Sequence, residues 1–131
     1  MNDNGKIVPH NQEAEEAVIG SLLIGGDMSR LTLEPADFWD DSLGLFFVAC
    51  QAISSQGANI DAVIVADELQ RIDKLAIVGG AARISHLISS TPTSLDLPYY
   101  ADIVKRLSMF RKLILVGTKI INLGYQGQNE V

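Results

Sequence analysis

Tyr99-Tyr100-Ala101-Asp102-Ile103-Val104-Lys105-Arg106-Leu107-Ser108-Met109-Phe110-Arg111-Lys112-Leu113-Ile114-Leu115-Val116 decides how this chain is read. Apolar residues return at Tyr100, Ile103, Val104, Leu107, Phe110 and Ile114, and the spacing carries on through Gly117 to Ile121. That is the repeat of one helix face, and it predicts a long helix over about residues 96–125. Leu113-Ile114-Leu115-Val116 breaks the simple pattern, because four apolar residues in a row leave no polar side. A helix of that kind has to be covered from more than one direction. Seven residues follow Gly124, so the cover is expected from a missing segment or from a partner. The first expectation is an assembly role.

Outward from that helix, 131 residues suit one domain with a single core. With 47% apolar and 20% charged residues the chain reads as globular rather than disordered. Lys112 and Lys119 bracket the longest apolar segment, which is too short for a membrane span. Met1-Asn2-Asp3-Asn4-Gly5-Lys6 lacks the apolar core of a secretory signal. The lone Cys50 offers neither a disulfide nor a metal cage, and a reducing cytoplasm is the expected compartment.

The net charge of −6 argues against a nucleic-acid clamp, whose affinity comes largely from Lys and Arg on phosphates. Its distribution is uneven. Residues 1–98 carry five basic and fourteen acidic side chains, and residues 99–131 carry five basic and two acidic. The terminal helix is therefore basic against an acidic body, which reads as a solvated helical face.

Residues 1–9 are expected to be a disordered lead-in closed by Pro9, and residues 10–95 a globular helical head. The first helix is predicted from Asn11 to Ile24, with Glu13, Glu15 and Glu16 favourable against its dipole and Gly25-Gly26 ending it. Ala14, Ala17, Val18, Ser21 and Leu22 form its packing stripe. A short helical piece follows from Met28 to Leu33, then Asp37-Phe38-Trp39 as an irregular aromatic anchor. A helix over Asp41–Gln56 buries Phe46, Ala49, Cys50 and Ile53, and Gly57 stops it. Asp61 caps the next, to about Arg71, with Ala62, Val65, Ala66 and Leu69 inward. Gly79-Gly80 opens a helix to Ser89, Ser90–Ser94 is a loop, and Asp96 caps the long helix, whose first turn tolerates Pro98. Residues 126–131 are expected to turn. The fold class is all-α, a compact bundle of five to six helices ending in a long arm.

Residues that suggest chemistry mostly have simpler uses. Gly20-Ser21-Leu22-Leu23-Ile24-Gly25 has P-loop glycine spacing, but Gly26-Asp27 stands where Lys and Ser/Thr are needed for phosphate and magnesium. His10 and His86 have no neighbours at metal-ligand spacing. Cys50 lies on an apolar stripe, where a thiol behaves as a small hydrophobe. Asp40-Asp41 suits a helix cap, and Asp67-Glu68 a solvated helix face. Phe38, Trp39, Phe46 and Phe47 sit among Asp37, Asp40 and Asp41, which repel phosphates, so they read as core and staple residues. No catalytic, cofactor-binding or metal-binding residue is expected, and a small all-α hydrolase lacks its constellation.

In order along the chain, several segments resemble the N-terminal domain of the DnaB-like replicative helicases. They are Pro9-His10-Asn11-Gln12-Glu13-Ala14-Glu15 with Val18–Leu23; Asp37-Phe38 and the helix carrying Phe46; Ile60-Asp61 through Ala66, Leu69, Leu75 and Val78-Gly79-Gly80 to Leu87 and Thr91-Pro92; and Tyr100–Val104. Leu43-Gly44 replace a His-Arg pair, Asp73 a turn glycine and Arg83 a Tyr of the family pattern, as in a divergent phage or prophage member. The resemblance implies that the long helix is the first arm of a helical hairpin, with the turn near Gln126-Gly127-Gln128. It implies that such domains pair through their hairpins into a collar, a trimer of dimers, which docks primase and influences loading. Tyr100, Ile103, Leu107, Phe110, Ile114, Gly117 and Ile121 are then the expected interface. ATP, magnesium and DNA belong to a motor domain that is absent here. The alternatives are the helicase-binding domain of a primase, or a free-standing helical adaptor.

Overall fold

The structure, a computed structural model, describes residues 7–129. Five α-helices make the domain: α1 (Gln12–Leu23), α2 (Asp41–Ser55), α3 (Ala62–Arg71), α4 (Gly80–Ser89) and α5 (Leu97–Asn129). Two single 3-10 turns, Met28–Arg30 and Pro35–Asp37, connect α1 to α2. There is no strand among the described residues. α1 is the central element, lying against α2, α4 and α5. Val18, Ile19 and Leu22 of α1 meet Leu43, Phe46, Phe47 and Cys50 of α2, with Val65 and Leu69 of α3 and Leu87 of α4 closing the core. From α5 only Leu97, Ala101 and Val104 enter it.

The helix starts follow from side-chain caps. Asn11 Oδ1 accepts the N–H of Ala14 at 3.0 Å, Asp40 Oδ1 that of Ser42 at 2.9 Å and Asp61 Oδ1 that of Ile64 at 2.9 Å. Each satisfies a donor that the helix itself leaves unpaired. Asp96 stands at the cap position of α5, where its carbonyl accepts the N–H of Tyr100 at 3.1 Å.

Three helix ends share one geometry. After α1, the N–H groups of Gly25 and Gly26 return to Leu22 and Ser21; after α2, those of Gly57 and Ala58 return to Ser54 and Ile53; after α3, those of Asp73 and Lys74 return to Gln70 and Leu69. This double closure needs a left-handed residue just past the helix. Gly25 and Gly57 supply it at φ 108° and 78°, but at α3 the residue is Asp73, at φ 60°. Asp73 is thus the one non-glycine position with positive φ among the described residues. Removing its Cβ relieves strain, so Asp73→Gly is expected to stabilise the domain by about 0.5–1 kcal/mol, read as a higher urea midpoint.

Gly20, which mimicked a P-loop glycine, is a packing residue. A Cβ there would fall 2.0 Å from Thr91 Oγ1 and 2.7 Å from the Leu87 carbonyl oxygen. Only a hydrogen lets α1 and the end of α4 approach so closely.

Several expectations need correction. The piece predicted from Met28 to Leu33 is helical only over Met28–Arg30, because Leu31 and the residues after it turn extended to deliver Leu33 into the core. The turn predicted at Gln126-Gly127-Gln128 is absent, and α5 continues through them to Asn129. An isolated glycine weakens a helix without ending it when nothing tertiary redirects the chain. Of the predicted lead-in, residues 1–6 lie outside the described residues, as do residues 130–131 of the predicted turn. Val8 and Pro9 are half-buried, and both make hydrogen bonds through their carbonyls.

Candidate interaction surface

α5 changes character at its twelfth residue. Up to Ser108 it has a buried face, and Tyr100 and Ile103 of the predicted stripe pack against the core, with Leu107 half-buried. From Lys112 onward every side chain through Gln128 is exposed except at half-buried Gly117. Phe110, Leu113, Ile114, Leu115 and Val116 are 42–68% exposed, as are Ile120, Ile121, Leu123 and Tyr125 farther along. A Cβ placed on Gly117 would meet nothing within 4 Å. The predicted stripe therefore divides: Tyr100, Ile103 and Leu107 lie on the head, and Phe110, Ile114, Gly117 and Ile121 on the projecting arm. Leu113, Leu115 and Val116, read as apolar without a polar side, are uncovered as well.

The point where the arm leaves the head is polar, a role not expected of these residues from their local pattern. Asp37, 1% exposed, sits in the second 3-10 turn beneath α5. Its Oδ1 accepts from Ser108 Oγ at 2.6 Å and its Oδ2 from the Glu34 N–H at 2.8 Å. Lys105 Nζ lies 3.2 Å from Oδ2 and Lys112 Nζ 3.5 Å from Oδ1. Burial opposes the charge, but the hydrogen bonds from Ser108, the Glu34 N–H and Lys105 outweigh it and hold the carboxyl below its ordinary value. Arg111 completes the junction: Nη2 donates to the Asp37 carbonyl at 2.6 Å and Nη1 to the Pro9 carbonyl at 2.7 Å. The basic charge of α5, expected to be a solvated face, is largely engaged here.

A second buried carboxylate joins α1 to α2. Glu15, 1% exposed, accepts the N–H of Trp39 at 2.9 Å and of Asp40 at 3.0 Å. Burial raises its pKa, and the two N–H groups with Arg111 only partly oppose the rise. Asp40 in turn takes Gln12 Nε2 at 2.8 Å, and Arg83 of α4 reaches both Asp40 and Glu16 at 3.7 and 3.6 Å. Arg83 thus links α4 to α1 and to the cap of α2. His10 stacks on half-exposed Trp39 with centroids 3.7 Å apart, so Trp39 is a surface anchor rather than core, while Phe38, Phe46 and Phe47 are buried as expected.

Burial pushes the Cys50 thiol up to about 12, far from a nucleophile's range. Among the described residues no group of three or more His, Cys, Asp or Glu could hold a metal ion, and none of their helices is long and apolar enough to cross a membrane. A groove of about 570 Å³ lies between the loop after α1 and the start of α5, lined by Leu31, Leu33, Leu95 and Leu97.

A head of this topology with a projecting helix is matched in known proteins. Residues 7–106 match the family described as DnaB-like helicase N terminal domain. The chain belongs to that family. The matched segment covers the head and the first turns of α5, and stops just before the helix emerges. The chain is 34% identical over 131 residues to a replicative DNA helicase, DnaC, of Bacillus subtilis, covering 98% of this chain and 29% of that protein. It is 34% identical over 128 residues to the replicative helicase DnaB of Mycobacterium leprae, covering 95% of this chain and 21% of that one. The chain thus spans less than a third of the length of these relatives. Among solved structures, the N-terminal domain of DnaB helicase from Mycobacterium tuberculosis superposes with a TM-score of 0.87 at 34% identity, covering 93% of this chain and 89% of that one. A DnaB-like replicative helicase studied for its interactions with primase shares the fold, with a TM-score of 0.77 at 24% identity over 86% of this chain and 27% of that chain. Membership in this DnaB-like family places the chain with helicases, not with primase domains.

Proposed function

We propose that this DnaB-like domain is the assembly collar of a hexameric replicative helicase, pairing subunits through the α5 arm and presenting its head to primase. The observation that carries the reading is the arm itself. Large apolar side chains from Met109 to Tyr125 stand exposed along one helix, and Leu113-Ile114-Leu115-Val116 carry them round a full turn; an apolar patch of that kind marks an interaction surface. A standard interface buries roughly 800 Å² per partner, which a few such side chains fill. Because Leu113–Val116 are apolar right round the helix, the arm suits a helical hairpin: a second arm of the same polypeptide covers one side and a second subunit the other. Gly117 allows the close helix approach. ATP and magnesium act in the motor domain of the longer protein, DNA is met through the assembled ring, and loader contacts fall on the same collar.

Sedimentation velocity tests the pairing. The wild-type chain is expected to self-associate as concentration rises, and Leu113→Glu with Ile120→Glu, both on the exposed arm, to leave a monomer with an unchanged melting temperature. A wild-type chain that stays strictly monomeric at high concentration sinks the pairing. Titration with the cognate primase's helicase-binding domain tests docking, and the absence of a complex with a hairpin-completed chain counts against it.

A further inference from the structure

We propose that the Asp37–Arg111 junction is a positioning clamp that sets the direction in which the α5 arm leaves the head. The proposal rests on the assembly reading above, and concerns how that assembly keeps its register. Arg111 sits where α5 leaves the head: it donates to Pro9 and Asp37, two carbonyls from separate segments of the head, at 2.7 and 2.6 Å, and the next residue, Lys112, makes a longer ion pair with Asp37 at 3.5 Å. Lys105 and Ser108, on the same helix face, converge on the carboxylate of the same Asp37 at 3.2 and 2.6 Å. Apolar burial at the start of α5 holds the helix down but is non-directional. Hydrogen bonds to fixed carbonyls depend on angle, and a planar guanidinium spanning two of them resists rotation as well as translation.

Leverage makes the angle matter. Beyond the junction the arm runs from Leu113 to Gln128, exposed at every position but half-buried Gly117. At 1.5 Å per residue that is about 25 Å. A tilt of roughly 10° at the fulcrum moves the tip by about 4 Å, close to the 5.4 Å pitch that separates one packing ridge from the next. A clamp of this kind keeps two arms from meeting one turn out of register.

The test reads geometry inside one chain. Nitroxides are placed on Asp67→Cys in the head and Asn122→Cys on the arm, both exposed sites. Buried Cys50, with its raised thiol pKa, stays unlabelled. Pulsed electron–electron distance measurements are made with labelled chain diluted in unlabelled chain, so only intramolecular distances count. The wild type is expected to give a narrow distribution. Arg111→Met should broaden it or shift its mean by about 4 Å, with Arg111→Lys intermediate, because an ammonium reaches one carbonyl rather than two. An unchanged mean and width in Arg111→Met overturns the proposal. If that variant does not fold, the Arg111→Lys distribution decides on the same criterion. A monomeric wild type with a broadened Arg111→Met distribution keeps the clamp and removes the pairing, so the two failures are separable.

Discussion

Replacing Asp37 with alanine is expected to destabilise the domain by about 2–4 kcal/mol and to lower its melting temperature by about 10 °C. The size follows from which partners are left stranded. Lys112 is 61% exposed and Lys105 34%, so both ammonium groups return to water at little cost, as surface ion pairs do. Ser108 Oγ and the Glu34 N–H are different. The first is on a residue only 2% exposed, and each loses a charge-assisted bond to a buried carboxylate. Two such bonds, at roughly 1.5–3 kcal/mol each, are partly offset because the desolvation cost of the buried carboxylate goes with it, and about 2–4 kcal/mol is left. The sign with pH follows from the depressed carboxyl of Asp37. Its contribution is present above the ordinary carboxylate value of about 4 and is lost as pH falls through the lower folded value. Wild type therefore loses more stability than Asp37→Ala on going from pH 5 to pH 3. Urea denaturation of both proteins at the two pH values measures this. Equal losses would mean that Asp37 is not held charged by the junction.

What was legible in the sequence was everything with a local cause. The caps at Asp40 and Asp61, the glycine stops after α1 and α2 and the apolar repeat of α5 each state their structure within a few residues. The buried carboxylates were not legible, because their partners lie far away along the chain. Glu15 bonds to Trp39 and Asp40, and Asp37 to Ser108. Glu15 reads as a dipole-favouring acid in an exposed first turn. One signal was available: Glu15, Val18, Ile19 and Leu22 fall at helix-face spacing, which puts a carboxylate on the apolar stripe. Ser108 stands likewise on the face of Ala101 and Val104. A polar residue in register with buried neighbours has to find a partner, and that rule points to both sites without naming the partner. The basic excess of residues 99–131 has the same explanation: Lys105, Arg111 and Lys112 are committed to the Asp37 turn.

Glu15→Leu should cost about 2–5 kcal/mol, because it leaves the N–H groups of Trp39 and Asp40 without their acceptor at the place where the chain enters α2. The informative variant is Glu15→Gln. The amide keeps the shape but offers one oxygen to two donors, so its NH₂ faces an N–H and one bond is lost. A loss of about 1–3 kcal/mol is expected. The pH dependence runs opposite to that of Asp37. Burial raises the Glu15 pKa in the folded state, so the folded domain holds that proton more tightly than the unfolded chain does. Stability from this group is fully present below the ordinary value of about 4.3, and declines as pH rises through the higher folded value. The stability gap between wild type and Glu15→Gln, which cannot titrate, is therefore larger at pH 4 than at pH 7. A gap that widens toward pH 7 would show that the two N–H bonds outweigh burial, and that the Glu15 carboxylate is a favoured charge rather than a tolerated one.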